Sequence, residues 1–140
     1  MARKTVQHNI VTSELWEKVL DKNKFLLRDF VEYCQSKDLS PKTINGYKND
    51  IEICWIWNLQ NNENKYFIDF TKKDIMRYQN WMLNKLGNSS NRIRRMKSAI
   101  SSLSNFIESM LDEEYPNFRN IVNKIPAPPK QDVREKTVLS

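Results

Sequence analysis

Apolar residues recur along this chain at helical spacing. Leu15 and Val19, then Leu26, Phe30 and Cys34, keep to one stripe, widened by Leu27 and Val31; they predict one long or broken helix over 13–37. Thr12 or Ser13 caps it, because a hydroxyl there accepts from a free backbone N–H. Lys37-Asp38-Leu39 is a short connection. Ser40-Pro41 then opens a second helix over 41–59, Ser as cap and Pro in the first turn, where its missing N–H would be unpaired anyway. Ile44, Tyr47, Ile51, Cys54/Trp55 and Asn58 form its stripe. Its last part, Ile53-Cys54-Trp55-Ile56-Trp57, is apolar all round; alone it would also fit a strand, but it sits inside a helical period. Gln60 to Lys65 read as loop.

Thr71 precedes a third helix over 72–86, with Ile75, Tyr78, Met82 and Leu86 as its stripe and Gly87 as its stop. Ser89 or Ser90 caps a fourth over 90–111, in which Ile93, Met96, Ile100, Leu103, Ile107 and Met110 follow at threes and fours without a miss. A short helical piece is expected after Pro116. Ile125-Pro126-Ala127-Pro128-Pro129 reads as an extended linker, because prolines block helix and favour polyproline geometry. The organisation expected is a flexible leader over 1–11, a helical domain over 12–122 and a Pro-rich linker over 123–140. The fold class is all-α, a bundle of four main helices with tails.

The chain has 140 residues, enough to bury a core without disulfides or metals. Only two glycines occur, which disfavours turn-rich sandwiches and barrels and any glycine-rich phosphate loop. No apolar run of about 18 residues exists to span a membrane, and Met1-Ala2-Arg3-Lys4-Thr5 lacks the apolar stretch of a secretory signal. An intracellular, cytoplasmic location is expected. Cys34 and Cys54 fall on apolar helix faces and read as buried thiols. With His8 the single histidine, neither a zinc site nor a Ser-His-Asp arrangement has credible members, and no cofactor is implied.

The formal net charge is +6, and it has a location. Residues 1–70 balance. Residues 71–107 carry eight basic side chains against one acid, Asp74, whereas Glu108, Asp112, Glu113 and Glu114 make 108–114 acidic. Opposite the apolar stripe of the fourth helix lie Asn91, Arg94, Ser98, Ser101, Ser102 and Asn105, flanked by Arg95 and Lys97. Exposed helix faces favour Glu and Lys in mutually supporting pairs, yet no acid occurs between Lys85 and Glu108. Small polar side chains let a backbone come close. Guanidinium groups near a helix N-terminus suit phosphates or guanine edges, and the helix dipole favours anions at that end. Arg94 is the best-placed residue; Arg92 sits nearer the stripe edge. The second helix has a weaker version, with Lys42, Asn45 and Asn49 opposite its stripe and Thr43 and Lys48 to the sides. A solvated basic helix would show the same pattern.

Three segments resemble the N-terminal core-binding domain of tyrosine recombinases of the phage-integrase type. Leu39-Ser40-Pro41-Lys42-Thr43-Ile44-Asn45-Gly46-Tyr47-Lys48-Asn49-Asp50-Ile51 is similar to the opening of that family's second helix, S-x-x-T-x-x-x-Y-x-x-D-L. Phe70-Thr71-Lys72-Lys73-Asp74-Ile75-Met76-Arg77-Tyr78 is similar to its third, I-T-x-x-D-I-x-x-Y. Asn91-Arg92-Ile93-Arg94-Arg95-Met96-Lys97-Ser98-Ala99-Ile100 is similar to its fourth, R-R-x-S-A-L-x-x-F. Arg134 to Ser140 looks like the entry into a catalytic domain. The departures are Arg92, where the family often has Thr, and Cys54, where it often has an aromatic.

The resemblance implies a four-to-five-helix orthogonal SAM-like bundle that forms half of a clamp on double-stranded DNA, its second and fourth helices at the major groove. The other half, a catalytic domain of the same parent chain, would cut DNA with a tyrosine nucleophile, and other protomers of a recombinase tetramer would share the site. The catalytic half is expected to lie beyond Ser140, so no tyrosine here inherits the nucleophile's role and no catalysis is expected of this segment. Expected phosphate contacts are Lys42, Lys48, Arg95 and Lys97; base-edge contacts Arg94 and Asn91, with Ser90 and Thr43 close to the backbone and Asn45 and Ser98 on the same faces. The rival readings are a helical protein-interaction module using the Trp55/Trp57 region and a helix-turn-helix regulator.

Overall fold

The computed structural model describes residues 10–129, which form helices and no strands. They are α1 (Ser13–Trp16), α2 (Asp21–Ser36), α3 (Pro41–Asn61), α4 (Lys72–Asn84) and α5 (Ser90–Met110), with 3₁₀ turns at Phe67–Asp69 and Val122–Lys124. The expected first helix is therefore broken. At the break the Leu20 N–H donates to the Asn64 side-chain oxygen (3.0 Å) instead of continuing a helical ladder.

Every helix but α2 starts where a side-chain acceptor stands ready. Thr12 takes the Leu15 N–H, Ser40 that of Thr43 and Ser89 that of Arg92. Thr71 and Asp74 exchange bonds in a reciprocal capping box. Just past the end of α2, Asp38 stands in the left-handed region (φ 59°). After α4, Gly87 adopts φ 65°, and the Asn88 N–H reaches back to the Met82 carbonyl (3.1 Å).

α3 runs through the middle of the bundle. That explains its all-round apolar segment: Ile53, Cys54, Trp55, Ile56 and Trp57 are buried on every side. α2, α4 and α5 cover it through Leu26, Phe30, Ile75, Tyr78, Ile93, Met96, Ile100 and Ile107. Trp57 packs on Tyr78 and Trp55 on Phe67, at centroid distances of 5.2 and 5.4 Å. The stripe of α5 stops one position short of expectation: Met110 is 57% exposed, at the helix end.

Three other expectations shift. Ile10 and Val11, assigned to the leader, are half-buried against the core. The helical piece after Pro116 forms later, as the turn at Val122–Lys124 that buries Val122. The first part of the linker is held on the bundle by side chains of α4 and α5. His8 and the segment Arg134 to Ser140 lie outside the described residues. Among those described, no helix is long and apolar enough to cross a membrane.

Candidate nucleic-acid interface

The first turns of α5 present Asn91, Arg94, Arg95 and Ser98 outward, as the periodicity predicts. Arg92 turns inward. Its guanidinium meets the Asp50 carboxylate of α3 at 2.9 Å, their side chains only 21% and 10% exposed. Burial pushes the Asp50 pKa up, and the neighbouring Arg92 and Arg95 charges oppose that push. Ser90 is buried at the helix start.

Lys97 departs from its expected place. It is buried rather than on the flank of an open face, and its ammonium donates to the Ile125 carbonyl (2.5 Å). Arg94 is exposed, yet one guanidinium nitrogen donates to the Pro128 carbonyl (3.1 Å). The second half of the α5 face is partly covered. The Asn120 side-chain amide donates to the Ser101 carbonyl, the Ser101 hydroxyl and the Asn105 side-chain oxygen, and the Asn120 N–H donates to the Glu108 carboxylate. The open basic face is thus the first half of α5. Nothing in helical periodicity could show that a later segment folds back over the second half.

On α3, Lys42, Thr43, Asn45 and Lys48 are exposed. The Thr43 hydroxyl accepts from the Ser40 hydroxyl (3.0 Å), and Lys48 pairs with Glu52 (3.3 Å). Tyr47 joins α3 to the α5 face, lining a cleft with Arg94, Lys97 and Ser98. Asp50 and Tyr47 therefore set the two helices side by side, with the Lys42 end of α3 turned away from the first turn of α5.

One further basic residue of the 71–107 stretch, Arg77, serves the fold. Arg77 donates to Asn62, to the Asn61 carbonyl and to Asp74, and lies over the Trp57 ring. The rival interaction surface at Trp55/Trp57 is overturned, since both rings are core. Cys34 and Cys54 are free and buried, and desolvation raises both thiols, as in unreactive cysteines.

An acid-free basic helix face on a small all-α bundle places the chain among helical modules suited to polyanions. The chain belongs to the family of the phage integrase N-terminal SAM-like domain, whose model matches residues 26–117. It is also similar to an SPbeta prophage-derived recombinase-like protein of Bacillus subtilis (strain 168), 32% identical over 133 residues. That match takes in 93% of this chain but 39% of the length of the relative. No solved structure matches.

Proposed function

We propose that this domain binds double-stranded DNA with the first half of α5 and the exposed face of α3, as the gripping half of a recombinase clamp. The observation that carries the reading is the outward set Asn91, Arg94, Arg95 and Ser98, with no acid on α5 before Glu108. The phosphate contacts proposed are Lys42, Lys48, Arg95 and Lys97. Arg94 and Asn91 reach base edges, with Ser98, Asn45, Thr43 and Ser90 close to the backbone. Cleavage and rejoining belong to a catalytic domain of the parent chain, and further protomers assemble on the same DNA. The family assignment supports the DNA-binding role and a catalytic domain elsewhere in the parent chain.

Titration of the domain against duplex DNA at 50 and 200 mM salt tests the reading. Affinity is expected to fall steeply with salt, because neutralised phosphates release counterions. Arg94→Ala is expected to weaken binding by about thirtyfold, the middle of the range for a residue at a base edge. Binding indifferent both to salt and to Arg94 would sink the proposal.

A further inference from the structure

Between α5, Tyr47 and the start of the linker lies a cleft of about 470 Å³. Its linker wall is pinned from two helices. Gln79 of α4 donates to the Pro126 carbonyl (2.9 Å), and Arg94 and Lys97 of α5 donate to those of Pro128 and Ile125. Lys97 lines this cleft while being only 6% exposed.

Its electrostatics are unusual for a buried cation. Among the described residues no carboxylate stands within ion-pair distance of Lys97. The charge acting on it is a second cation, Arg94, and desolvation and that neighbour together lower its pKa. The bond to Ile125 engages one of three ammonium donors, and that to Pro128 one of five guanidinium donors. A buried charge without a counter-charge is unfavourable. An anion entering the cleft would supply the missing partner.

We propose that this cleft seats one backbone phosphate of the bound DNA, held by the buried ammonium of Lys97 and the hydroxyl of Ser98, with the Arg94 guanidinium adding its charge at the rim. The linker is then one wall of the phosphate site as well as a tether. This rests on the DNA-binding reading. It goes beyond that reading in making the Pro-rich segment, together with Lys97, the enclosure of a single phosphate.

Charge and tethering separate by substitution. Lys97→Gln keeps an N–H donor for the Ile125 carbonyl and removes the charge; Lys97→Met removes both. Duplex binding is measured for each between 50 and 200 mM salt, with thermal melts as the check on folding. Both variants are expected to lower the steepness of the log–log salt dependence by about one, so the deficit against wild type shrinks about 3.5-fold across that range. A Lys97→Gln protein with wild-type affinity and salt dependence overturns the proposal, even if Lys97→Met is impaired, since Lys97 would then only tether.

Inorganic phosphate gives an arm independent of duplex DNA, followed by amide chemical shifts. Shifts centred on Ser98, Ile125 and Ala127 that Lys97→Gln abolishes support the anion site. If they occur without any duplex binding, both the DNA source and the DNA-binding reading fall. Absent shifts, with duplex binding intact and its salt dependence unchanged in Lys97→Gln, overturn the cleft alone.

Discussion

The Asp50 carboxylate on α3 holds the Arg92 guanidinium on α5 at 2.9 Å, joining the helix through the middle of the core to the helix that carries the basic face. Removing one partner strands the other in a desolvated place. Arg92→Ala is expected to lower unfolding free energy by about 2–3 kcal/mol, below the range for a fully buried pair because Arg92 keeps some exposure. Asp50→Leu with Arg92→Met should lose much less. In Arg92→Ala the stranded carboxylate would have a folded pKa above its unfolded one. The deficit should therefore shrink as pH falls through that raised value. Urea midpoints at pH 7 and pH 5 check both statements.

Asp74 behaves in the opposite sense. Burial alone would raise its pKa, but the Thr71 N–H, the Lys65 ammonium and the Thr71 hydroxyl outweigh it and hold it below the ordinary value. Its contribution is therefore complete above about pH 4–5 and is lost as pH falls through the folded value. Asp74→Asn should be less stable than wild type at pH 7, with a shallower loss on acidification. Denaturation from pH 7 down to pH 2 reads this directly.

Asn23 ties three separate segments together. Its side-chain amide donates to the Lys65 carbonyl (3.0 Å), its side-chain oxygen accepts the Phe67 N–H (2.9 Å), and its own carbonyl accepts the Trp55 indole N–H (2.9 Å). Asn23→Ala leaves two buried backbone groups without this partner and should lower stability by about 2–4 kcal/mol. Hydrogen exchange at the Phe67 amide should rise with it.

The two glycines predict opposite signs. A Cβ at either position would meet nothing within 4 Å, so packing plays no part. Gly46 lies within α3, and Gly46→Ala should raise stability by about 0.5–1 kcal/mol. Gly87 stands at φ 65°, where Gly87→Ala should lower stability by about 1–2 kcal/mol. Thermal melts of the two variants should move apart.

The helices were legible because their caps and stripes are local: Ser40-Pro41, Thr71 and Gly87 act within one turn of where they stand. The inward turn of Arg92 was half-legible, from its place at the edge of the stripe. The partners of Arg94 and Lys97 were not, because they are carbonyls about 30 residues further on, and every residue carries a carbonyl. Asn58 read as part of a helical stripe, and Asn62 and Asn64 as polar loop. Asn58 and Asn62 take part in a buried network with Asn23 and Lys65, since an amide that is fully bonded can be interior, while Asn64 bridges to Leu20 and Lys18.

The acidic turn just past α5, where Asp112, Glu113 and Glu114 are exposed, gives the helix ends of opposite sign. In the field of a polyanion such a body feels a torque: the Arg94 end is drawn in and the far end is pushed away. Alignment would then begin before contact, during diffusion. Neutralising the acidic turn should speed encounter at low salt by raising the net positive charge, lower the fraction of encounters that arrive aligned, and leave the lifetime of the complex nearly unchanged.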